Sequence, residues 1–341
     1  MIQLWNRFFF SECSPLPMAL VRIIVALVFL CQISLIRSEF NVWYGADSEA
    51  IVSMESAMRC LPNTPCFSLL TITEPDAAIL SGFQLLALCS GSFLLIGWHS
   101  RISAFVCFLV MQSLMRRDPF VVGGESELLS QILFYLALSN SGMLLSFERF
   151  LRLRKRCPLP GIALPWAQRL LQIQICVVYI QTFFAKIAHT EWLDGTAVYR
   201  VLQTKELVNF PLPDFIRGNE GLGHFLTWSA LGFEAILPVI LWITPLKHWA
   251  ILIAIFFHLI MEYCLNIPFF QFLMIAGLIS FCDPALLVSV ADRILVRYGT
   301  KVQVVKDKPE DESDGKSDVE PIHKSEDMPE NKSEDKLENN P

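Results

Sequence analysis

The sequence predicts an all-α, polytopic transmembrane helix bundle with a disordered C-terminal tail. Three observations carry this expectation. Hydrophobic residues make up 53% of the 341 and charged residues only 18%, and the mean hydropathy is +0.47, a balance foreign to soluble domains. Eight apolar segments of spanning or near-spanning length follow one another, about 17–36, 77–97, 102–116, 127–147, 167–186, 223–243, 248–263 and 268–289. Charge is also unevenly spread. Lys306 to Pro341 holds six lysines against 13 acidic residues, a net of −7, which leaves the preceding residues near +1.

Taken in order, the start MIQLWNRFFFSECSPLP lacks a cleavable apolar region and small-residue site, so the first segment is expected to remain as a helix. Segments three and seven are short for spanning and read as tilted neighbours, which leaves a count of six or seven helices as the alternative to eight. Two long connections, 37–76 and 187–222, mix aromatics, prolines and charges, as expected of chain packed over a bundle mouth. In the first of them, CLPNTPC places Cys60 and Cys66 close enough to form a disulfide in an oxidising compartment, with two free thiols as the alternative. The other cysteines fall mostly inside apolar runs and read as small hydrophobes. Lysines and arginines favour one side of the segments by eleven to seven, led by RLRKR at 152–156. Both termini are therefore expected in the cytoplasm, with the two long connections outside. The tail from 301 onward, acidic and rich in Pro and Ser, cannot bury enough apolar area to order itself, so the expected domains are 1–300 in the membrane and 301–341 disordered.

The fifth segment, Trp166 to Gly195, carries the most information. Gln172, Tyr179 and Lys186 recur every seven residues, and Thr182 lies one turn before the lysine, so a polar stripe runs along one helix face. Such a stripe should look into the bundle rather than into lipid. Gln174 and Gln181 occupy another face and are expected to bond neighbouring helices. Lys186 has two readings. It snorkels to the headgroups, or it works as a base in a cavity, where desolvation by Phe183 and Phe184 favours the neutral amine and a nearby Glu234 or Glu262 favours the ammonium. His258 has Glu262 one turn later, a pairing that can fix an imidazole tautomer, or it is simply a paired bundle histidine. Glu234, mid-segment, needs Arg22, Lys186 or a proton to be tolerated. Arg22 reads as paired or interfacial, and Arg117, before Asp-Pro, as an interfacial anchor. Phosphate loops, dinucleotide fingerprints, nucleophile elbows and zinc spacings are missing, so no metal is indicated, and no basic surface suggests nucleic acid.

R-L-x-Q-x-Q, then Tyr, A-K and W-x-D-G, carried here by Arg169, Gln172, Gln174, Tyr179, Lys186, Trp192 and Gly195, resembles the HTTM domain, the membrane module shared with vitamin K-dependent gamma-carboxylases. Arg22, Arg117-Asp118-Pro119 with Gly123-Gly124, and Phe257-His258 extend the resemblance over roughly 5–290. It implies a lysine, Lys186, that deprotonates reduced vitamin K or another quinone, with His258 as a second catalytic residue and Arg22, Arg117, Tyr179, Thr182, Trp192, Glu234 and Glu262 in support. The implied activity is a gamma-carboxylase-like, quinol-epoxidising lyase or oxidoreductase. One residue more than in that family separates Lys186 from Trp192, and no large domain follows residue 290 to hold a protein substrate, so quinol chemistry without carboxylation is the expectation. The alternative is a non-enzymatic membrane partner in export or maturation of another protein, since the family is also similar to a membrane component of a toxin maturation system. A transporter is a third reading, weakened because no inverted repeat is visible. The partners expected are thus the lipid bilayer, a lipid-soluble quinone, and a partner protein.

Overall fold

A computed structural model describes residues 1–45, 68–70, 76–118, 123–154, 163–210 and 212–297, with side chains to 290 in the last stretch. Cys60, Cys66 and the tail from 301 lie outside the described residues. Met1–Ile294 forms one compact unit, Leu295–Pro341 a second. Everything below concerns the first.

The described residues are helical, with no strand longer than an isolated bridge. In chain order the helices are α1 (Ile2–Phe10), α2 (Leu16–Leu35), α3 (Phe40–Tyr44), α4 (Ala77–Ile96), α5 (Ser100–Arg117), α6 (Gly124–Leu138) and α7 (Phe147–Arg154). They continue as α8 (Trp166–Ile187), α9 (Thr190–Leu193), α10 (Ala197–Gln203), α11 (Asp214–Arg217), α12 (Glu220–Ile240), α13 (Thr244–Cys264), α14 (Phe270–Ile279) and α15 (Pro284–Arg297). By length and hydropathy α2, α4, α8, α12 and α13 can each cross a membrane, and α14 with the start of α15 makes a sixth candidate span, bent by 114°. Large apolar side chains face outward along them, among them Phe225, Val239, Trp249, Leu252 and Phe256, each more than half exposed. An apolar exterior of that extent suits a lipid bilayer.

Each of the eight apolar segments contains a helix, with different ends. Segments three and seven, expected to be short, are helices of 18 and 21 residues. The seventh is longer because Pro245 opens it at the first turn, where a missing N–H is harmless, and Lys247 and His248 ride inside it. The expected segment 127–147 stops as a helix at Leu138. Ser139 and Asn140 lead into a 3-10 turn, Ser141–Met143, and the Ser139 hydroxyl accepts the Ser141 N–H that a continuing helix would have used. The segment 268–289 is broken before Pro284, as expected where proline disfavours helix in the residue ahead of it.

The helices run alternately between two faces. At the first face Arg22 near the start of α2 meets the end of α4, Arg101 at the start of α5 meets Ser139 after α6, and Arg169 at the start of α8 meets Phe8 of α1. Lys247 and His248 at the start of α13 both bind Asp283 after α14, at 2.5 and 2.7 Å. The second face carries the other helix ends and the 187–222 connection with α9, α10 and α11.

Arg22 is fully buried, and its charge is met by backbone. Its guanidinium donates to the carbonyls of Leu94 (2.6 Å), Leu95 (2.8 Å) and Leu145 (2.5 Å). Carbonyls left over at a helix C-terminus are where a cation is stabilised. Gly97 is part of the fit: its φ of 75° closes α4 in the left-handed region, and a Cβ there would stand 2.7 Å from the Arg22 Nη1. Arg117 is fully buried too, donating to the Gly45 carbonyl at 2.5 Å, so it is no headgroup anchor. Short α14 lies at the centre of the bundle, packed on α2, α6, α8 and α13. Gly277 lets it approach α8, since a Cβ there would run into the Ile175 side chain.

Candidate functional site

The polar stripe on α8 does face inward, and it divides into two halves. In the lower half Gln172, 2% exposed, and Gln168 both donate to the Ser280 carbonyl, at 2.7 and 2.6 Å, satisfying the C-terminus of α14. Arg169 donates to the Gln172 amide oxygen (2.8 Å) and covers the Phe8 ring at 4.8 Å. Gln174, one face over, donates to Gln131 of α6 at 2.7 Å, the bond to a neighbouring helix expected of it. Gln181 is exposed. R-L-x-Q-x-Q is therefore helix-to-helix glue.

The upper half holds the candidate site. Tyr179, His258 of α13 and Gln271 of α14 form one buried chain, at 2, 3 and 0% exposure. The Tyr179 hydroxyl lies 2.6 Å from Nε2 of His258, and Nδ1 of His258 lies 2.6 Å from the Gln271 amide oxygen. A carbonyl oxygen only accepts, so Nδ1 carries the proton and Nε2 accepts the tyrosine O–H. The tautomer is set by Gln271. Glu262, expected to do this from one turn along α13, is displaced because both ring nitrogens already have partners on other helices. One of its carboxylate oxygens, Oε2, is buried without a hydrogen bond. Gln271 was not anticipated: one amide in an apolar stretch, FFQFLMIAG, gives no signal until packing brings His258 to it.

Beside this chain, two turns above Tyr179 on α8, Lys186 forms an ion pair with Glu234 of α12. The side chains are 22% and 8% exposed, so the lysine end is wet and the carboxylate end is not. Of the three ways to tolerate Glu234, the fold uses the lysine, and Arg22 is engaged elsewhere. The free-base reading of Lys186 required that no carboxylate bind it tightly, and Glu234 does. Trp192 of α9 lies under the ammonium, 4.9 Å from nitrogen to ring centre. Phe233, next to Glu234 on α12, lies edge-on to Tyr179 at 6.3 Å and against Phe257 at 4.6 Å. Thr182 does not take part, since its hydroxyl donates to the Tyr179 carbonyl on its own helix. Arg22 and Arg117 hold other parts of the bundle.

The 187–222 connection roofs this end. Asp194, with its carboxyl held below the usual aspartate range by hydrogen bonds from the Thr196 hydroxyl and N–H, starts the turn at Gly195 whose φ is 84°. Farther on, Val208 and Leu265 form an antiparallel bridge, flanked by Asn209 N–H to Cys264 carbonyl (3.1 Å) and Asn266 N–H to Leu207 carbonyl (2.8 Å). Phe210 stacks on Tyr263 at 5.0 Å. The roof is thereby tied to the corner between the helices that supply His258 and Gln271.

Polar atoms buried here without a hydrogen-bond partner among the described residues include Oε2 of Glu234 and Oε2 of Glu262, both acceptors, and Nε2 of Gln271, a donor. Buried polar atoms are seldom left so, and each is a point at which a ligand could bond.

Comparison with known proteins agrees with the membrane character. A family model described as the HTTM domain matches residues 12–285. The chain is similar to a Bacillus subtilis (strain 168) protein described as "Uncharacterized protein YitO", 25% identical over 272 residues, covering 72% of this chain and 87% of that relative. No solved structure matches it.

Proposed function

This chain belongs to the HTTM domain family, and on that footing we propose that it is a multi-pass membrane protein whose polar core between α8, α12, α13 and α14 binds a lipid-soluble ligand of the quinol type and removes its hydroxyl proton. A reduced quinone would supply an ionisable hydroxyl on an apolar ring. The single observation supporting this reading is the Lys186–Glu234 pair with its second carboxylate oxygen buried and unpartnered. Glu234 Oε2 accepts the ligand's hydroxyl; the proton passes to the pair, and Lys186 faces the oxygen left behind. Before the step the site holds one ammonium and one carboxylate. After it, one ammonium, one protonated carboxyl and one ligand oxyanion remain, so the site's net charge is unchanged. In a low-dielectric core that neutrality matters more than the intrinsic strength of either group. If the proton first moves from nitrogen to Glu234 and the amine then takes the ligand's proton, the products are the same. Tyr179, held by His258 and Gln271, and Phe233 wall the ligand.

The test is anaerobic titration of the purified protein with a reduced naphthoquinone, following the absorbance of its ionised form. Wild type is expected to bind and ionise it, with Lys186→Ala and Glu234→Gln each losing ionisation by ~10-fold or more, the scale on which a neighbouring charge moves a pKa. Ionisation by Lys186→Ala equal to wild type sinks the mechanism. Absence of any quinone binding, together with recovery of a stable protein partner, favours the non-enzymatic alternative.

A further inference from the structure

At the first face, the opposite end of the bundle from Lys186, a cavity of about 350 Å³ opens between the start of α5 and α7. We propose that it is a binding site for the phosphate of an anionic phospholipid headgroup.

Its floor is the N-terminus of α5, an 18-residue helix that begins without a side-chain cap. His99 stands at the cap position in the left-handed region, φ 45° and ψ 48°, and makes no capping bond. The first N–H groups of α5 and the positive end of its dipole are thus available to an anion. Ser100 lines the same cavity, is 4% exposed, and its hydroxyl has no hydrogen-bond partner. A buried hydroxyl of this kind is expected to find a ligand.

Two arginines line the walls. Arg101 is fixed by donating from Nε to the Ser139 carbonyl at 2.9 Å and from Nη2 to Asn140. Arg152 of α7 is about half exposed, and its one hydrogen bond is to Glu148 at 2.7 Å. Among the described residues Glu148 is the one carboxylate lining the cavity, so two guanidiniums and a helix dipole outweigh one negative charge. A phosphate diester with net charge −1 matches that surplus and the forked geometry of arginine.

The surroundings say why the phosphate arrives on a lipid. Phe147, Phe150 and Leu153 of α7 are 43, 60 and 54% exposed and recur every three residues on one side, with Arg149 and Arg152 between them and Arg154 after. A short helix so divided lies in the membrane interface. Trp98, 41% exposed, precedes His99, and exposed tryptophans favour the headgroup level. The cavity therefore opens at headgroup depth, with apolar surface beside it for the acyl chains.

The test uses the full-length protein in detergent, equilibrated with mixed micelles of equal dioleoyl-phosphatidylglycerol and dioleoyl-phosphatidylcholine and read by native mass spectrometry. One phosphatidylglycerol is expected to be retained in preference to phosphatidylcholine. Arg152→Gln should reduce that retention by ~10-fold. Glu148→Gln should raise it, because the competing carboxylate is gone. Opposite changes from two neighbouring surface residues are not produced by loss of fold, and melting curves of both variants check this. Equal retention of the two lipids, or no change with Arg152→Gln, or a fall in both variants, overturns the proposal. A third arm adds inorganic phosphate to lipid-free protein. If it stabilises the protein as much as phosphatidylglycerol does, the site takes a free anion and the lipid assignment is wrong.

Discussion

Lys186 was legible in the sequence as a residue out of place, a cation at the end of a polar stripe on an apolar helix. Its partner was only narrowed down. Nothing local tells which of several helices brings a carboxylate to it, because helix-to-helix packing is decided by surfaces and not by spacing. Arg22 was less legible still, since its partners are main-chain carbonyls, which every residue has. His258 shows the limit of the i, i+4 rule: Glu262 lies at the right distance on the helix, yet Tyr179 and Gln271 take the ring. The ion pair makes a sharp stability prediction. Lys186→Met leaves a nearly buried carboxylate uncompensated, and a broken pair of this kind costs about 3–5 kcal/mol, somewhat less here because the lysine end reaches water. The double variant Lys186→Met, Glu234→Met should recover to within ~1–2 kcal/mol of wild type, since apolar side chains of similar volume replace such pairs without penalty. Thermal unfolding in detergent reads both. A double variant as unstable as the single one would mean that the two groups are not coupled.

Among the elements, the long helices were legible because their apolar runs exceed what a soluble fold uses. Their ends were less so. The stop of α6 depends on a serine hydroxyl folding back on its own backbone, and the 114° break between α14 and α15 is held by two glutamines from another helix sharing one carbonyl. Both are tertiary decisions. The sequence could flag R-L-x-Q-x-Q as unusual but not distinguish glue from chemistry, a distinction drawn by Ser280. Gly277 is the element-scale test. Gly277→Leu must push α14 away from α8 at Ile175, moving Gln271 off His258 while leaving every catalytic candidate in place. Overpacking of this kind typically costs about 1–3 kcal/mol, and quinol ionisation should fall with it. Ile175→Ala in the same chain should restore part of both. If Gly277→Leu melts like wild type, the helices are not in the close contact described.

For the whole molecule, composition alone announced a membrane protein, and the fold places the positively charged segment ends Arg7, Arg101, Arg149, Arg152, Arg154 and Lys247 together at the first face. The positive-inside rule predicts that this face is the cytoplasmic one. In a variant without native cysteines, Arg154→Cys should resist an impermeant thiol reagent in intact cells, and Lys205→Cys, on the opposite roof, should react. The reverse pattern inverts the topology, and with it the side from which the Lys186 end is reached.

The buried arginine of α2 also has a consequence for how the chain is made. Its last acceptor, the carbonyl of Leu145, lies 123 residues downstream. At ribosomal speeds of about 5–20 residues per second, that carbonyl emerges several seconds to tens of seconds after Arg22 does. Until the Leu94 and Leu95 carbonyls follow, 72 and 73 residues downstream, only water, a headgroup or the insertion machinery can satisfy the guanidinium, and its Nη2 waits for Leu145. The full set of Arg22 bonds therefore waits until α4, α5 and α6 have been synthesised and the turn after them has closed. The first four long helices are, in this sense, a single unit of biogenesis, and Arg22 is the latch that records their completion.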